Sequence, residues 1–198
     1  MNSESRRITE AQQVLNSADL IYTADQIHSA INRLAESINR ELGDRNEPVI
    51  VLPVMNGGLV LCGHLFTCLN FPVLLDYLHA TRYRDETSGA DLHWKAKPQQ
   101  TLKNKTVLVI DDILDEGYTL SAVLDYCRQQ EVAQVYSVVL VEKEHARSKA
   151  AVKADFTGLY VNDRYVFGFG MDYKGYHRNL NGIYAVSELE NEAEINES

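Results

Sequence analysis

The run Val107–Leu120, VLVIDDILDEGYTL, constrains this chain more than any other stretch. Four apolar residues of strand length, Val107 to Ile110, lead into the adjacent acids Asp111 and Asp112. Asp115, Gly117 and Thr119 follow, and a helical pattern resumes at Leu120. An apolar run that ends in acids and turns through glycine into a helix reads as a buried parallel strand. Its turn then lies at the carboxyl edge of the sheet, where open α/β sheets bind ligands. Backbone N–H groups opening the next helix suit a phosphate. The carboxylates suit sugar hydroxyls, a bound metal or a transferable proton.

The remaining pattern predicts an α/β fold, a mainly parallel twisted sheet flanked by helices. Thr23 and Gln26 have capping-box spacing, and Ile27, Ile31, Leu34, Ile38 and Leu42 recur at helical intervals up to Gly43. A shorter helix is expected near Thr9–Asn16. Strands are expected at 49–54, 72–78, 107–110 and 135–142, with helices from Gly57 to Leu69 and from Leu120 to about Gln130. Residues 80–103 are polar and unpatterned, which predicts either an ordinary surface loop or a functional lid, and the lid is the reading adopted. Short apolar runs at 158–161, 165–169 and 182–186 lack intervening helices. They predict a small hood over the sheet edge, about 155–186, built from the carboxyl-terminal segment and followed by an acidic tail at 188–198.

With 198 residues, one domain spanning 1–198 is expected. The net charge of −9 argues against nonspecific nucleic-acid binding, and no apolar run approaches the length needed to span a bilayer. The amino terminus lacks the apolar core of a signal peptide. Cys62, Cys68 and Cys127 form an odd set without CxxC spacing, so neither a disulfide framework nor a zinc site is indicated, and a reducing cytoplasm fits. The six histidines show no metal-ligand spacing. An acidic protein that holds a polyphosphate needs local cations, which implies Mg²⁺ and a few well-placed Lys and Arg residues.

VLVIDD resembles the first strand of phospho-acceptor receiver domains, but there the acid pair opens the domain, and here 110 residues precede it. The full run resembles more closely the ribose-phosphate motif of the type I phosphoribosyltransferases. That motif is four apolar residues, two acids, two apolar residues, then Asp-Thr-Gly-x-Thr. Val107–Ile110, Asp111, Asp112, Ile113, Leu114, Asp115, Gly117 and Thr119 match it, while Glu116 and Tyr118 depart from it. DRYVFGFGMDYKGYHRNL (163–180) is similar to the segment D-x-[FY]-V-x-G-x-x-x-D-Y-x-x-x-x-R-x-L, which points to the 6-oxopurine branch, the hypoxanthine-guanine enzymes of bacterial type. MNGG (55–58) reads by itself as a tight turn before a helix. In that branch the equivalent turn is often Leu-Lys-Gly-Gly with a cis peptide before the Lys, so the resemblance predicts a cis Met55–Asn56 bond.

The resemblance implies transfer of 5-phosphoribose from phosphoribosyl pyrophosphate to hypoxanthine or guanine, with Mg²⁺ as cofactor and a homodimer or homotetramer as the assembly. It implies Asp115 as the catalytic acid/base, Asp111 and Asp112 on the ribose hydroxyls, and Asp115, Glu116, Gly117, Tyr118 and Thr119 around the 5′-phosphate, with the Glu116 side chain turned away. Asn56, Gly57, Arg82, Tyr83 and Arg178 fall to the pyrophosphate, with Arg82 supplying the charge that Asn56 lacks. Lys143, Tyr165, Val166 and Asp172 fall to the purine, and Asp111, Asp112 and Asp172 to the metal. A xanthine-preferring or hypoxanthine-only enzyme, and an RNA-binding regulator on the same fold, remain open on sequence alone.

Overall fold

A computed structural model describes residues 3–82, 92–147 and 150–187. Its central sheet has five parallel strands in the order β3-β2-β6-β7-β8, namely Val73–Leu75, Val49–Pro53, Thr106–Leu114, Gln134–Glu144 and Phe156–Asn162. Side chains alternate across each strand. Val49, Val51, Leu108, Ile110, Val138 and Leu140 face a core shared with helices α2 (Ala24–Leu42) and α3 (Gly58–Phe66). Ile50, Leu52, Val107, Val109 and Val139 face the opposite way, onto α4 (Tyr118–Gln129). Burial on both faces is why these strands read as near-continuous apolar runs.

Helix α2 starts and stops where its sequence predicts. Thr23 and Gln26 close the reciprocal capping box, and Gly43 N–H reaches back to the Asn39 carbonyl at 2.8 Å. A first helix, α1, covers Ser3–Ser17 and is longer than the Thr9–Asn16 expected, although only Ala11 and Val14 are buried.

Several expectations need correction. Strand β6 does not end at Ile110. It continues through both acids to Leu114 because its pairing with β7 persists, Asp111 opposite Val139 and Leu114 opposite Glu142. The polar stretch 80–103 is not unpatterned. Strands β4 (His79–Arg82) and β5 (Leu92–Ala96) pair antiparallel, and Trp94 packs on Tyr126 of α4 with ring centroids 4.6 Å apart. The tip of the expected lid, Tyr83 to Asp91, and the acidic tail from 188 lie outside the described residues.

The expected hood segment divides in two. β8 closes the main sheet, while β9 (Val166–Phe167) and β10 (Ile183–Ala185) join β1 (Asp19–Tyr22) in a small antiparallel sheet, order β1-β10-β9. The contribution of β1 was not visible in sequence. Four residues with half-exposed, mixed chemistry, DLIY, give no periodicity to read. Among the described residues no helix is long and apolar enough to cross a membrane.

Candidate active site

The carboxyl ends of β2 and β6 open onto a cavity of about 550 Å³. Two helices begin at its walls, and neither has a side-chain cap. Gly57 precedes α3, and Gly117, with φ at 82°, precedes α4. Positive φ at position 117 explains the glycine, and an added Cβ would also meet Val152 at 2.7 Å. Gly57 is required for a different reason: a Cβ there would fall inside the Asp112 carboxylate. The backbone therefore approaches the acid pair as closely as a chain can. The peptide before Asn56 is cis, as expected, and Asn56 and Gly57 line the cavity. Each helix start carries a partial positive charge, so the cavity suits an anion at two places, while at α3 the Gly58 and Leu59 N–H groups already bond the Val54 and Asn56 carbonyls.

Between those helix starts lie Asp111 and Asp112, both buried. Burial pushes the Asp111 carboxyl well above the usual carboxylate range, and the neighbouring Asp112 charge adds to the effect. Burial raises Asp112 as well, opposed by hydrogen bonds and by Arg178, whose Nη1 is 3.8 Å from its Oδ2. Arg178 is held by the Gly170 carbonyl at 2.6 Å and by Asp172 at 2.5 Å. Asp172 also accepts from the Gly175 N–H at 2.7 Å.

Asp115, Glu116, Gly117, Tyr118 and Thr119 form the turn into α4 and line the same cavity. The Glu116 carboxylate pairs with Arg147 at 3.3 Å, which neutralises the charge that looked out of place beside a phosphate. Arg82 lies at the end of β4, its side chain outside the described residues, and Tyr83 is wholly outside them. Among the described residues of this hairpin, Lys95 on β5 is the cation that lines the cavity, with His79 beside it. Burial lowers the pKa of His79, and the Lys95 charge lowers it further. A polar, unpatterned stretch gave no sign that Lys95 faces inward.

A second cavity, about 490 Å³, adjoins the first and shares Asp112, Ile113, Asp115 and Asp172 with it. Lys143, Tyr165 and Val166 line its far side. Lys143 is buried at the end of β7, Tyr165 is 39% exposed and meets Tyr173 edge-on at 5.5 Å, and Val166 opens β9. Every expected site residue whose side chain is described therefore lines one of two contiguous cavities.

The wall between the cavities carries a charge network that sequence reading missed apart from Lys143. Burial alone would raise the Asp115 pKa, but Lys143 at 3.2 Å, Arg147 at 2.7 Å and His145 at 2.9 Å together hold it below the usual range. Arg147 also grips Asp163 through Nε at 2.9 Å and Nη2 at 2.7 Å. The signal was present in VEKEHAR, where Lys143, His145 and Arg147 cluster at and just beyond the end of β7. The three carboxylates expected to bind metal, Asp111, Asp112 and Asp172, all line the first cavity. Among the described residues no group of three acids, histidines or cysteines is placed to hold an ion, and Asp172 is engaged by Arg178 and Gly175.

A family model described as phosphoribosyl transferase domain matches residues 17–174. Among curated proteins, hypoxanthine phosphoribosyltransferase of Haemophilus influenzae is 26% identical over 170 residues, covering 85% of this chain and 94% of that protein. Hypoxanthine-guanine-xanthine phosphoribosyltransferase of Tritrichomonas foetus is 26% identical over 181 residues, covering 91% and 98%. A crystal structure of a hypoxanthine phosphoribosyltransferase from Staphylococcus aureus superposes with a TM-score of 0.81 at 22% identity, covering 96% of this chain and 98% of that one, a likeness of fold.

Proposed function

The chain belongs to the phosphoribosyl transferase domain family, and on that premise we propose that it transfers 5-phosphoribose from phosphoribosyl pyrophosphate to N9 of hypoxanthine or guanine, giving IMP or GMP and pyrophosphate. One observation carries this reading. A cavity with two uncapped helix starts and a buried acid pair between them adjoins, through Asp112, Ile113, Asp115 and Asp172, a second cavity bearing Lys143 and Tyr165. Two anion sites flanking carboxylates match a sugar that is phosphorylated at one end and pyrophosphorylated at the other. The adjoining slot, with a cation and an aromatic ring, matches a flat oxygenated base.

Substitution at the anomeric carbon passes through an oxocarbenium-like transition state, as in glycoside hydrolysis, and requires no protein nucleophile. Asp111 and Asp112 grip the two ribose hydroxyls. The turn from Asp115 to Thr119 holds the 5′-phosphate through its backbone N–H groups and the Thr119 hydroxyl. Asn56, Gly57 and Arg178 stabilise charge developing on the departing pyrophosphate. Asp115 takes the purine proton at N7. Lys143 donates to O6, where the amino group of adenine would leave an ammonium unpaired. Tyr165 stacks on the ring, and the backbone of Val166 and Asp172 takes the remaining base edge.

Mg²⁺ fits the donor set. Asp111 and Asp112 would hold it through carboxylate oxygens, and two buried carboxylates whose charge is opposed by burial would gain from a hard cation. When bound, it neutralises charge on the pyrophosphate. A cytoplasmic setting, assembly as a homodimer or homotetramer, and no role for nucleic acid or membrane belong to the same reading.

The test is a product assay with phosphoribosyl pyrophosphate and Mg²⁺ against hypoxanthine, guanine, xanthine and adenine in parallel. IMP and GMP are expected, with adenine inert. Selective turnover of adenine, or none with any of the four, overturns the reading.

A further inference from the structure

Carboxylates outnumber cations along the wall of the first cavity. Among the described residues its only lysine or arginine side chains are Arg178 and Lys95. Arg178 is already engaged, by Asp172 at 2.5 Å and by the Gly170 carbonyl at 2.6 Å. Lys95 makes no ion pair among the described residues. An anion that reaches it therefore gains a charge-assisted hydrogen bond and breaks none.

The backbone sets the direction of this side chain. His79 pairs with Ala96 and Ala80 pairs with Trp94, so Lys95 is an extra residue in the ladder, a β-bulge. Bulges re-aim side chains and are common beside active sites. Trp94, next to the bulge, is fixed against Tyr126 of α4, while Lys95 lines the cavity.

The bulge also lies at one particular end of the cavity. Val54 bridges Leu78, and the Met55 N–H donates to the Leu78 carbonyl at 2.8 Å. His79 comes next and lines the cavity with Asn56 and Gly57. The Lys95 charge reaches the His79 ring, whose pKa it lowers further after burial has lowered it. The ammonium thus stands beside the turn at 55–58, which has no cation of its own.

We propose that Lys95 is a pyrophosphate-binding residue, aimed by its β-bulge at the diphosphate that the turn at 55–58 receives. The inference rests on the transfer reading above and assigns a new contact within it. A point charge on a flexible stem suits a phosphate oxygen, and it complements a turn that offers only backbone N–H groups and the Asn56 amide.

The test compares wild type, Lys95→Met and Lys95→Arg. Lys95→Met should raise KM for phosphoribosyl pyrophosphate and the inhibition constant of pyrophosphate by about tenfold or more. Its Kd for IMP, which carries the 5′-phosphate and no pyrophosphate, should stay within about twofold of wild type. Lys95→Arg keeps the charge and should recover most of the loss. The side chain is exposed, so Tm should not move in either variant. Wild-type pyrophosphate affinity in Lys95→Met overturns the proposal. So does a Kd for IMP that rises by the same factor, which would seat Lys95 on the 5′-phosphate instead.

A wild type that forms no nucleotide from any base refutes the transfer reading itself. Calorimetric titration of wild type and Lys95→Met with pyrophosphate and Mg²⁺ then still decides the assignment of Lys95: about tenfold weaker binding in the variant supports it, and equal binding contradicts it.

Discussion

Lys143 Nζ lies 3.2 Å from Asp115 Oδ2, so the residue assigned to the purine O6 and the residue assigned to its N7 are bonded to each other across the mouth of the base cavity. On the proposed function an incoming 6-oxopurine would separate them, taking the ammonium on one edge and the carboxylate on the other.

Replacing Asp115 with Asn removes the proton acceptor and leaves the phosphate turn in place. Steady-state kinetics should show kcat lower by about 10²–10⁴-fold, with the Kd for phosphoribosyl pyrophosphate little changed. Full turnover across pH would exclude Asp115 as the base.

Lys143→Met keeps the stem and deletes the charge. Loss of a charged hydrogen bond of about 1.5–3 kcal/mol should raise KM for hypoxanthine by one to two orders of magnitude. The ratio of hypoxanthine to adenine turnover should fall with it. An unchanged ratio would assign base selection elsewhere.

Asp111 gives a stability signature. Its folded pKa is raised by burial and by the Asp112 charge, so the fold prefers the neutral carboxyl. Stability present below the ordinary carboxylate pKa of about 4 is therefore lost as pH rises towards the raised value. Asp111→Asn cannot ionise and should gain Tm relative to wild type on going from pH 4.5 to pH 8, in buffer without ligand. Equal Tm differences at both pH values would contradict the burial effect. Activity should fall because a ribose contact is lost.

Gly57→Ala forces a Cβ into the Asp112 carboxylate. The acid must move, so kcat/KM should drop by at least about tenfold while thermal stability falls by roughly 1–3 kcal/mol, the usual range for overpacking. Wild-type kinetics in this variant would show that the close approach is dispensable.

Thiol reactivity separates the cysteines. Cys68 is exposed, whereas Cys62 and Cys127 are buried with thiols pushed up to about 11 by burial. A thiol-disulfide reagent near neutral pH should titrate one group in the native protein and three after unfolding.

Much of this was legible in the sequence because the determinants were local. The capping box of α2, the apolar runs of β2, β6 and β7, and the acid-glycine turn into α4 each specify structure within a few residues. The pairing of β1 with β10 was not legible, since it joins residues 19–22 to 183–185 and no short-range pattern encodes so distant a partner. Lys95 was hidden for a related reason: its inward direction follows from the register of β5 on β4. His145 and Arg147 were in plain view beside Lys143, but their convergence on Asp115 depends on β7 running parallel to β6 in one register. Strand β6 outran its apolar segment because inter-strand hydrogen bonds, not hydrophobicity, decide where a strand stops.

Two contiguous cavities that form one site for a purine nucleotide should hold IMP across both. A crystal structure with IMP bound tests it directly. The phosphate should sit on the turn from Asp115 to Thr119, the ribose hydroxyls on Asp111 and Asp112, and the base between Lys143 and Tyr165. IMP bound away from both cavities, or with its base directed at the start of α3, would contradict the account.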